Sequence, residues 1–537
     1  MLVSLLVAVS PGFLAAGPAA AADLLELRLE SLTLPIPLDQ LEAFSGGERQ
    51  PAGPGGEELR VWLSLLRPEM QRDLLRLLRV PLLRDRSFGR QLLDSWAGGQ
   101  LLVEVGMLLT TPEGRSTTPL LQSTLRRLLA EQREVTTLSL LRALPPQRLS
   151  LQLDGLLAVA ETWRRQLGLQ RRALEQVQAL DLPPRDSRFL GEVAGGAGSV
   201  PQPRRQWLAV PHRREPLLLD LWAASPRLGS PPSPRPWVLL LPGLGGNADQ
   251  LGWLAGVLAQ RGWSVAVLQH PGSDGAALKA AIDGRQPPPG AETLAERLAD
   301  VEAVLAARRR SQLDLPEADG LVLMGHSLGG VAALLAAGVQ PREGLEERCR
   351  RAIGRLPIGN PSRLLQCQLP LSGVPRALAR PADLRGVVLL NSFGSLLWPD
   401  GALGSLPVPV LMVGGSLDLV TPPLEEQLRL FLGPRDPRSR LVLVEGGSHF
   451  SPVRMSDSEE VVFRLGSELV GADPVTVQAM LLSLSDDFLQ SLERPLLLPS
   501  QVRRQQGVTA YVLDPAAARG GWTRRKRGSP RPSNPGP

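Results

Sequence analysis

Short, fully apolar runs recur along the second half of the chain, and each is followed by a turn and a segment of helix length. The runs are residues 237–241, 263–268, 321–324, 386–390, 408–413 and 441–444. Continuous apolar strands that alternate with helices are typical of a parallel sheet covered by helices on both faces. The pattern predicts an α/β fold, preceded by an antiparallel strand pair at residues 205–210 and 216–222. Such a sheet carries its site at the carboxyl ends of the strands.

A glycine-flanked serine follows the third of these runs. Residues 325–329 read Gly-His-Ser-Leu-Gly, and a helix-forming run begins at Val331. Between a strand and a helix, G-x-S-x-G is the pattern of a nucleophile elbow, a turn that lifts the serine hydroxyl clear of the sheet. The glycines fit such a turn because side chains there would collide with neighbouring backbone. Ser327 is therefore predicted to be a nucleophile, and a structural coincidence is the alternative.

A serine nucleophile needs a base, and the base needs an acid that orients it. Asp418 follows the fifth apolar run and His449 follows the sixth, in the chain order Ser, Asp, His that this arrangement requires. Histidine is scarce, with four in the chain, which favours a chemical role for His449. A turn or capping role is the alternative for Asp418, and Asp400, after the preceding strand, is its rival as the acid.

The tetrahedral intermediate of such a reaction needs two N–H donors for its oxyanion. Leu328, directly after the nucleophile, and Leu244, in the glycine-rich turn after the first apolar run, are predicted to supply them. The same turn does not complete the G-x-G-x-x-G pattern of a dinucleotide site, and Gln269 stands where an acidic ribose partner would be needed. No metal and no organic cofactor is expected.

Three further polar residues lie near the same strand ends. His270 and Asp274 are predicted to be loop structure, with shaping of the pocket wall as the alternative. His326 occupies the variable position of the elbow and is predicted to be packed.

These motifs give residues 205–515 a family likeness. The region resembles the α/β-hydrolase family, and specifically secreted bacterial proteins that are dienelactone-hydrolase-like and platelet-activating-factor-acetylhydrolase-like. The resemblance rests on LLLPGLGG, VLQHPGSD, GHSLGG and the late Asp and His. It implies the α/β-hydrolase fold and hydrolysis of carboxylic esters, and it leaves the acyl and alcohol groups open. The chain departs from the pattern at Pro242, where many relatives have His, and dienelactone hydrolases proper use a cysteine nucleophile.

A long insertion, residues 341–383, separates the elbow helix from the next strand and contains the two cysteines, Cys349 and Cys367. Insertions at this point in α/β-hydrolases commonly form a lid over the site, and the apolar residues here favour a substrate with a hydrophobic part. In an oxidising compartment the cysteines would form a disulfide worth roughly 3 kcal/mol. The spacing fits neither a zinc site nor a redox CxxC pair. Two free buried thiols are the alternative to the disulfide.

The region before the hydrolase-like part, residues 23–185, is predicted to be a mostly helical domain. Strict alternation over residues 25–34 predicts one strand, and leucine-rich helical periodicity follows at residues 121–132, 136–144 and 153–180. The region resembles the uncharacterised helical domain that often precedes such hydrolases in photosynthetic bacteria. Residues 186–204 have the composition of a linker.

Both ends of the chain carry information about its location and partners. Residues 1–22 are apolar and end in four alanines, which predicts a signal peptide and export to the periplasm or beyond, although no Lys or Arg precedes the apolar run. The formal charge of +6 arises from six basic residues in the tail, residues 516–537. That tail is predicted to be disordered, so no nucleic-acid partner is expected and membrane contact is at most peripheral.

The leading hypothesis from the sequence is a serine hydrolase that cleaves small-molecule or lipid esters through an acyl-enzyme. An acyltransferase that uses the same site is one alternative. A catalytically silent binding protein is another, and the intact set of Ser, Asp and His argues against it.

Overall fold

A computed structural model describes residues 22–46, 59, 61, 63–64, 67–79, 81–83, 86–131, 134–186, 201–225, 234–353, 359–454, 472–494 and 498–520. The chain divides into two compact units, Met1–Ala158 and Val159–Pro537. This boundary differs from the one expected at residue 185. The C-terminal half of a long helix carries Gln170 and Gln178, whose side chains hydrogen-bond to Asp418 and Glu445 of the second unit.

The first unit combines a small sheet with helices. Its strands are β1 (Leu24–Leu29), β2 (Leu32–Pro37), β3 (Pro81–Leu83), β4 (Leu109–Thr110), β5 (Val135–Thr136) and β6 (Arg148–Gln152). Its helices are α1 (Leu38–Gly46), α2 (Pro68–Arg79), α3 (Arg86–Asp94), α4 (Trp96–Leu108), α5 (Thr118–Glu131), α6 (Thr137–Ala143) and the start of α7 (Leu153–Gln178). The three predicted leucine-rich helices are confirmed as α5, α6 and α7, but the unit also contains a sheet in the order β2-β1-β6-β4.

The single strand expected at residues 25–34 is wrong, because the chain forms a hairpin there. Leu29 pairs with Leu32, so β1 and β2 are joined by a loop of two residues. Glu30 in that loop has a φ of 50°, and its N–H donates to the Asp154 carboxylate at 2.8 Å. Leu29 and Leu32 face each other across the hairpin although they are three positions apart, so the leucines shift from odd to even positions at the two-residue loop. That shift is the sequence signal of the turn.

The second unit is built on one large sheet. Its strands are β7 (Pro184–Asp186), β8 (Arg204–Leu208), β9 (Leu217–Trp222), β10 (Trp237–Leu241), β11 (Val265–Leu268), β12 (Leu321–His326), β13 (Leu384–Leu390), β14 (Val410–Gly415), β15 (Arg440–Val444), β16 (Gln501–Gln505) and β17 (Val508–Leu513). Within the described residues their order is β7-β16-β17-β15-β14-β13-β12-β10-β11-β9-β8. The six predicted apolar runs form the central strands β10–β15, which pair in parallel, and the predicted antiparallel pair is β8 with β9.

Helices cover this sheet on both faces. They are α8 (Asp249–Gln260), α9 (Gly275–Ile282), α10 (Leu294–Arg309), α11 (Leu328–Ala336), α12 (Leu345–Ala352), α13 (Ser362–Ser372), α14 (Gln427–Phe431) and α15 (Pro474–Glu493), with 3-10 helices at Ala291–Thr293 and Leu403–Ser405. All five residues of β10 are buried, and alternate ones, Val238 and Leu240, join one core cluster with residues of α8 and α15. The neighbouring side chains point to the other face, so the central strands are apolar along their whole length.

Three predicted segments fall wholly or partly outside the described residues. These are the signal peptide, where only Ala22 is described, most of the linker, at residues 187–200, and the tail from residue 521. The beginning of the tail is ordered, which corrects the prediction for residues 516–520: they are helical, and Ala518 is buried. No helix among the described residues is long and apolar enough to cross a membrane.

The insertion at residues 341–383 forms α12 and α13, which a Cys349–Cys367 disulfide joins. A buried carboxylate, Glu426, holds the segment to the rest of the unit, because it accepts hydrogen bonds from Asn360, Ser362 and Gln366. Residues 354–358, which include part of the apolar material, lie outside the described residues. That this segment forms a lid over the site remains a prediction.

We expect the disulfide to be measurable in the native protein. Alkylation should add no mass until the protein is reduced, and replacing both cysteines by serine should lower the free energy of unfolding by about 3 kcal/mol, because the loop of 18 residues is no longer closed in the unfolded chain. Mass spectrometry and urea unfolding measure the two effects. Two thiols that react freely in native protein would contradict the prediction.

Candidate active site

The serine of the G-x-S-x-G motif lies in a strained turn between β12 and α11. Ser327 has a φ of 52° and a ψ of −121°, and its N–H donates to the Leu390 carbonyl of β13 at 2.9 Å. A Cβ at Gly325 would lie 2.3 Å from the Gly329 oxygen, and one at Gly329 would lie 2.1 Å from the Leu241 oxygen. Only glycine fits at these two positions, because Gly325 lies against the backbone of α11 and Gly329 lies against the backbone at the end of β10. The geometry is that of a nucleophile elbow.

A continuous hydrogen-bonded chain connects this serine to an imidazole and a carboxylate. Ser327 Oγ lies 3.0 Å from His449 Nε2, and His449 Nδ1 lies 2.9 Å from Asp418 Oδ2. Asp418 is fully buried, whereas Ser327 keeps 7% of its surface exposed. The three residues predicted as a triad are therefore brought together at the carboxyl ends of β12, β14 and β15. The rival acid, Asp400, is exposed in the loop after β13.

The Asp418 carboxylate is held in one orientation by its own loop. Oδ1 accepts the N–H groups of Val420 and Thr421, at 2.9 and 2.7 Å, and Oδ2 accepts the Thr421 hydroxyl at 2.6 Å. The Asp418 backbone carbonyl in turn accepts from Gln170 of α7 at 3.3 Å. These contacts present Oδ2 to the imidazole of His449, which fixes the ring's tautomer.

The backbone of His449 is fixed by two buried side chains. Its carbonyl accepts from His326 Nε2 at 2.9 Å and from Asn391 Nδ2 at 3.2 Å. Burial lowers the pKa of His326 to about 3, with the nearby His449 as a further cause, so the ring is neutral and its Nε2–H is the donor. The prediction that His326 is packed is confirmed, and the side chain also holds the backbone of His449.

The glycine-rich turn after β10 lies against the nucleophile. A Cβ at Gly243 would lie 3.0 Å from His326 Nδ1 and 3.2 Å from Ser327 Cβ. In the part of the chain that the structure describes, the N–H groups of Leu244 and Leu328 donate to no protein acceptor. Leu328 is the first residue of α11, where free N–H groups are normal. Both donors predicted for an oxyanion are thus available on segments that adjoin Ser327.

His270 and Asp274 are loop structure, as predicted. Asp274 caps α9 by accepting the Ala277 N–H at 3.0 Å. His270 Nδ1 lies 2.9 Å from Asp300, whose carboxylate also binds Arg213 and His212. Burial alone would raise the pKa of Asp300, but its hydrogen bonds with His270, Arg213 and His212 outweigh burial and lower that pKa to about 2. Among the described residues, no three His, Cys, Asp or Glu side chains are grouped to hold a metal ion.

Several residues that hold Asp418 and His449 in place were not predicted from the sequence. Thr421 follows Asp418 in the G-x-x-D-x-x-T-P stretch, so its place near the acid was open to prediction. Asn391 directly follows β13, a weaker signal of the same kind. Gln170 carries no signal, since it lies on a helix 248 residues before the acid that it contacts.

Comparison with known families agrees with this topology. Residues 238–465 match the model of the alpha/beta hydrolase family, and this stretch contains the elbow, the acid and the histidine. The second unit has the α/β-hydrolase fold. Residues 21–152, most of the first unit, match a model described as an alpha/beta hydrolase of unknown function. No curated protein matches the sequence. The two family matches support hydrolase activity.

Burial of two neutral histidines predicts a loss of stability in acid. Burial lowers the pKa of His270 to about 4, as it lowers that of His326 to about 3. Below about pH 6.5 the unfolded chain binds a proton at each site and the folded chain does not, so stability is full above that pH and falls as the pH drops towards 4 and 3. Each group steepens the fall by up to about 1.4 kcal/mol per pH unit.

Urea unfolding between about pH 7 and about pH 5 measures this slope. His326→Gln keeps an N–H donor for the His449 carbonyl and removes the titrating ring, so its stability should fall less steeply. A variant slope equal to that of the wild type would contradict the assignment of His326 as a buried neutral group.

Proposed function

We propose that this chain is a serine hydrolase of carboxylic esters, with Ser327 as nucleophile, His449 as general base and Asp418 as the orienting acid. The observation that carries the proposal is the unbroken chain from Ser327 Oγ to His449 to Asp418, with distances of 3.0 and 2.9 Å. The elbow backbone at Ser327 supports it independently, because residues held at a strained, positive φ cluster at functional sites.

Each atom of this chain has a task in the reaction. As Ser327 Oγ attacks the ester carbonyl carbon, its proton passes to His449 Nε2, and Asp418 stabilises the imidazolium. The carbonyl oxygen becomes an oxyanion and accepts the N–H groups of Leu244 and Leu328, each worth about 3 to 4 kcal/mol in the transition state. The intermediate then collapses, and His449 returns the proton to the departing alcohol. Water hydrolyses the acyl-enzyme by the same steps, with His449 as base.

Apolar side chains beside the triad favour an ester with a hydrophobic part. The Phe450 ring stands edge-on to His449, with centroids 5.3 Å apart, and Leu417 next to the acid is partly exposed. The apolar residues of the insertion at 341–383 support the same substrate class. The resemblance to acetylhydrolase-like and dienelactone-hydrolase-like secreted proteins is consistent with small esters or lipid esters.

We also propose that the protein is exported to the periplasm or beyond. The Cys349–Cys367 disulfide supports this location, because disulfides persist in oxidising compartments. The apolar residues 1–22 support it as well, since they have the length and the small-residue ending of a signal peptide.

A panel of p-nitrophenyl esters, from acetate through butyrate and octanoate to palmitate, tests the reaction and the substrate class together. We expect free acid as the product, turnover that depends on chain length, and labelling by a fluorophosphonate once, at Ser327. The same assay with an added alcohol identifies an acyltransferase, because the acyl group would then appear mainly as a new ester. Protein that turns over no ester and takes up no label would overturn the proposal and favour a binding protein.

A further inference from the structure

One arginine is fully buried beside the glycine-rich turn. Arg297 lies in the first part of α10, and its guanidinium donates to four oxygens. Nη1 donates to the Pro242 carbonyl at 2.8 Å, and Nη2 donates to the carbonyls of Gly243 and Ser273, at 2.9 and 3.0 Å. Nε donates to the Ser273 hydroxyl at 2.8 Å. All four oxygens belong to two loops at the carboxyl ends of β10 and β11.

The burial of this cation is costly. Burial lowers the pKa of Arg297 to about 10, although the charges of Asp300 and Asp274 oppose the effect. In the described part of the chain, no carboxylate oxygen lies within ion-pair distance of its guanidinium, so loop oxygens provide its direct solvation. A buried charge is tolerated only where its hydrogen bonds are satisfied. The four hydrogen bonds of Arg297 are satisfied only when the two loops adopt this one geometry.

That geometry decides where the Leu244 N–H points. The Gly243 carbonyl and the Leu244 N–H belong to one trans peptide, in which the oxygen and the hydrogen point in opposite directions. Arg297 holds the oxygen, so the N–H must point away from the arginine. The same network fastens the next part of the turn, because the Ser273 carbonyl also accepts the Gly245 N–H at 2.8 Å.

The guanidinium also acts on the strength of that donor. A charged donor at a carbonyl oxygen polarises the whole peptide group, and the N–H at its other end becomes a better hydrogen-bond donor. A backbone turn that is held rigid needs no rearrangement as the oxyanion forms, which is the condition for strong transition-state stabilisation.

We propose that Arg297 is a positioning residue that orients and polarises the Gly243–Leu244 peptide as one half of the oxyanion hole. The inference rests on the proposed function, because Leu244 must be a donor to the oxyanion. Arg297 touches no reacting atom and acts through the peptide that it holds.

Arg297→Lys tests the inference, since lysine keeps the charge and cannot reach all four oxygens with one planar group. Losing one oxyanion donor costs about a hundredfold to a thousandfold in kcat. We expect a fall in kcat of about a hundredfold with little change in KM, and a similar slowing of fluorophosphonate labelling at Ser327, because both reactions develop charge on the same oxygen.

Arg503→Lys is the matched control. Arg503 is an equally buried arginine on β16 that donates to Ser483 and Asp487, and its replacement should lower thermal stability while leaving kcat and the labelling rate near those of the wild type. If the two lysine variants show the same kcat and labelling rate, Arg297 is structural only and the inference is wrong. If wild-type protein is not labelled at Ser327, the proposed function itself has failed.

Ser273→Ala keeps the test decisive if Arg297→Lys does not fold. It removes one hydroxyl acceptor of the guanidinium and leaves the three backbone carbonyls in place. With one contact of Arg297 lost, the Gly243–Leu244 peptide should be held less firmly, and kcat should fall several-fold without a rise in KM. A misdirected Leu244 N–H stabilises the transition state less and leaves substrate binding unchanged. A folded Ser273→Ala protein with unchanged kcat and labelling rate would overturn the inference.

Discussion

Replacing Ser327 with alanine should abolish ester turnover, with a fall in kcat of about six orders of magnitude. The hydroxyl is the atom that forms the acyl-enzyme, and no neighbouring group can replace it in the chain to His449. Alanine at this position adopts the same positive φ as serine, so the elbow should persist and the free energy of unfolding should change little. Initial rates with the preferred ester, and thermal unfolding of the same samples, measure the two quantities.

Ser392→Ala is the matched control for this variant. Ser392 is a buried serine two residues after β13, next to Gly330 of the elbow, and within the described residues its hydroxyl has no hydrogen-bond partner. Its loss should leave turnover and fluorophosphonate labelling near wild-type levels. Labelling that survives Ser327→Ala would place the nucleophile elsewhere.

The central sheet was predictable because its strands are buried on both faces. A strand such as β10 must be apolar at every position, and a run of that kind between turns is visible in the sequence. The start and end of each strand were less certain. β12 extends to His326, two residues beyond the apolar run, because the backbone continues to pair with β13 up to the elbow.

Strands that are polar or very short were missed. β16 reads Gln-Val-Arg-Arg-Gln and pairs with β17 near the edge of the sheet, so neither a continuous apolar run nor a clean alternation identifies it. In the first unit, β4 and β5 are only two residues long and have no sequence signal of their own. Their pairing depends on partners that are distant in the chain.

The candidate site likewise contains residues that could be predicted from the sequence and residues that could not. The hydrogen-bonded set of Ser327, His449 and Asp418 was predictable because a serine hydrolase of this fold requires those residue types, in a fixed chain order, after strands of the sheet. The residues that hold them were not. Arg297, Gln170 and Asn391 are common polar residues, and only the folded chain shows which carbonyl each one contacts. Local motifs thus specify the residues of the candidate triad, and contacts between remote segments specify their orientation.

Replacing Asp418 with asparagine should reduce kcat by at least about a hundredfold and by up to about ten thousandfold, because the acid sets the tautomer of His449. Asparagine can still accept the N–H groups of Val420 and Thr421 through its carbonyl oxygen, which places its amide NH2 towards the imidazole. The ring would then accept a hydrogen bond at Nδ1 and carry its proton on Nε2, so it could not take the proton of Ser327. KM should change little, since the acid makes no contact with the ester in the proposed mechanism.

Asp400→Asn is the comparison that distinguishes the two candidate acids. Asp400 follows the preceding strand, is exposed, and should be replaceable with little change in turnover. Steady-state rates are measured over a range of pH, and thermal unfolding checks that each variant is folded. Together they distinguish a variant that is folded but carries the wrong His449 tautomer from one that has unfolded. A folded Asp418→Asn protein would keep its melting temperature within a few degrees and lose its rate at every pH. The reverse pattern, with Asp400→Asn inactive and Asp418→Asn active, would assign the acid to the end of β13 and refute the hydrogen-bonded chain from Ser327 to Asp418 as the catalytic unit.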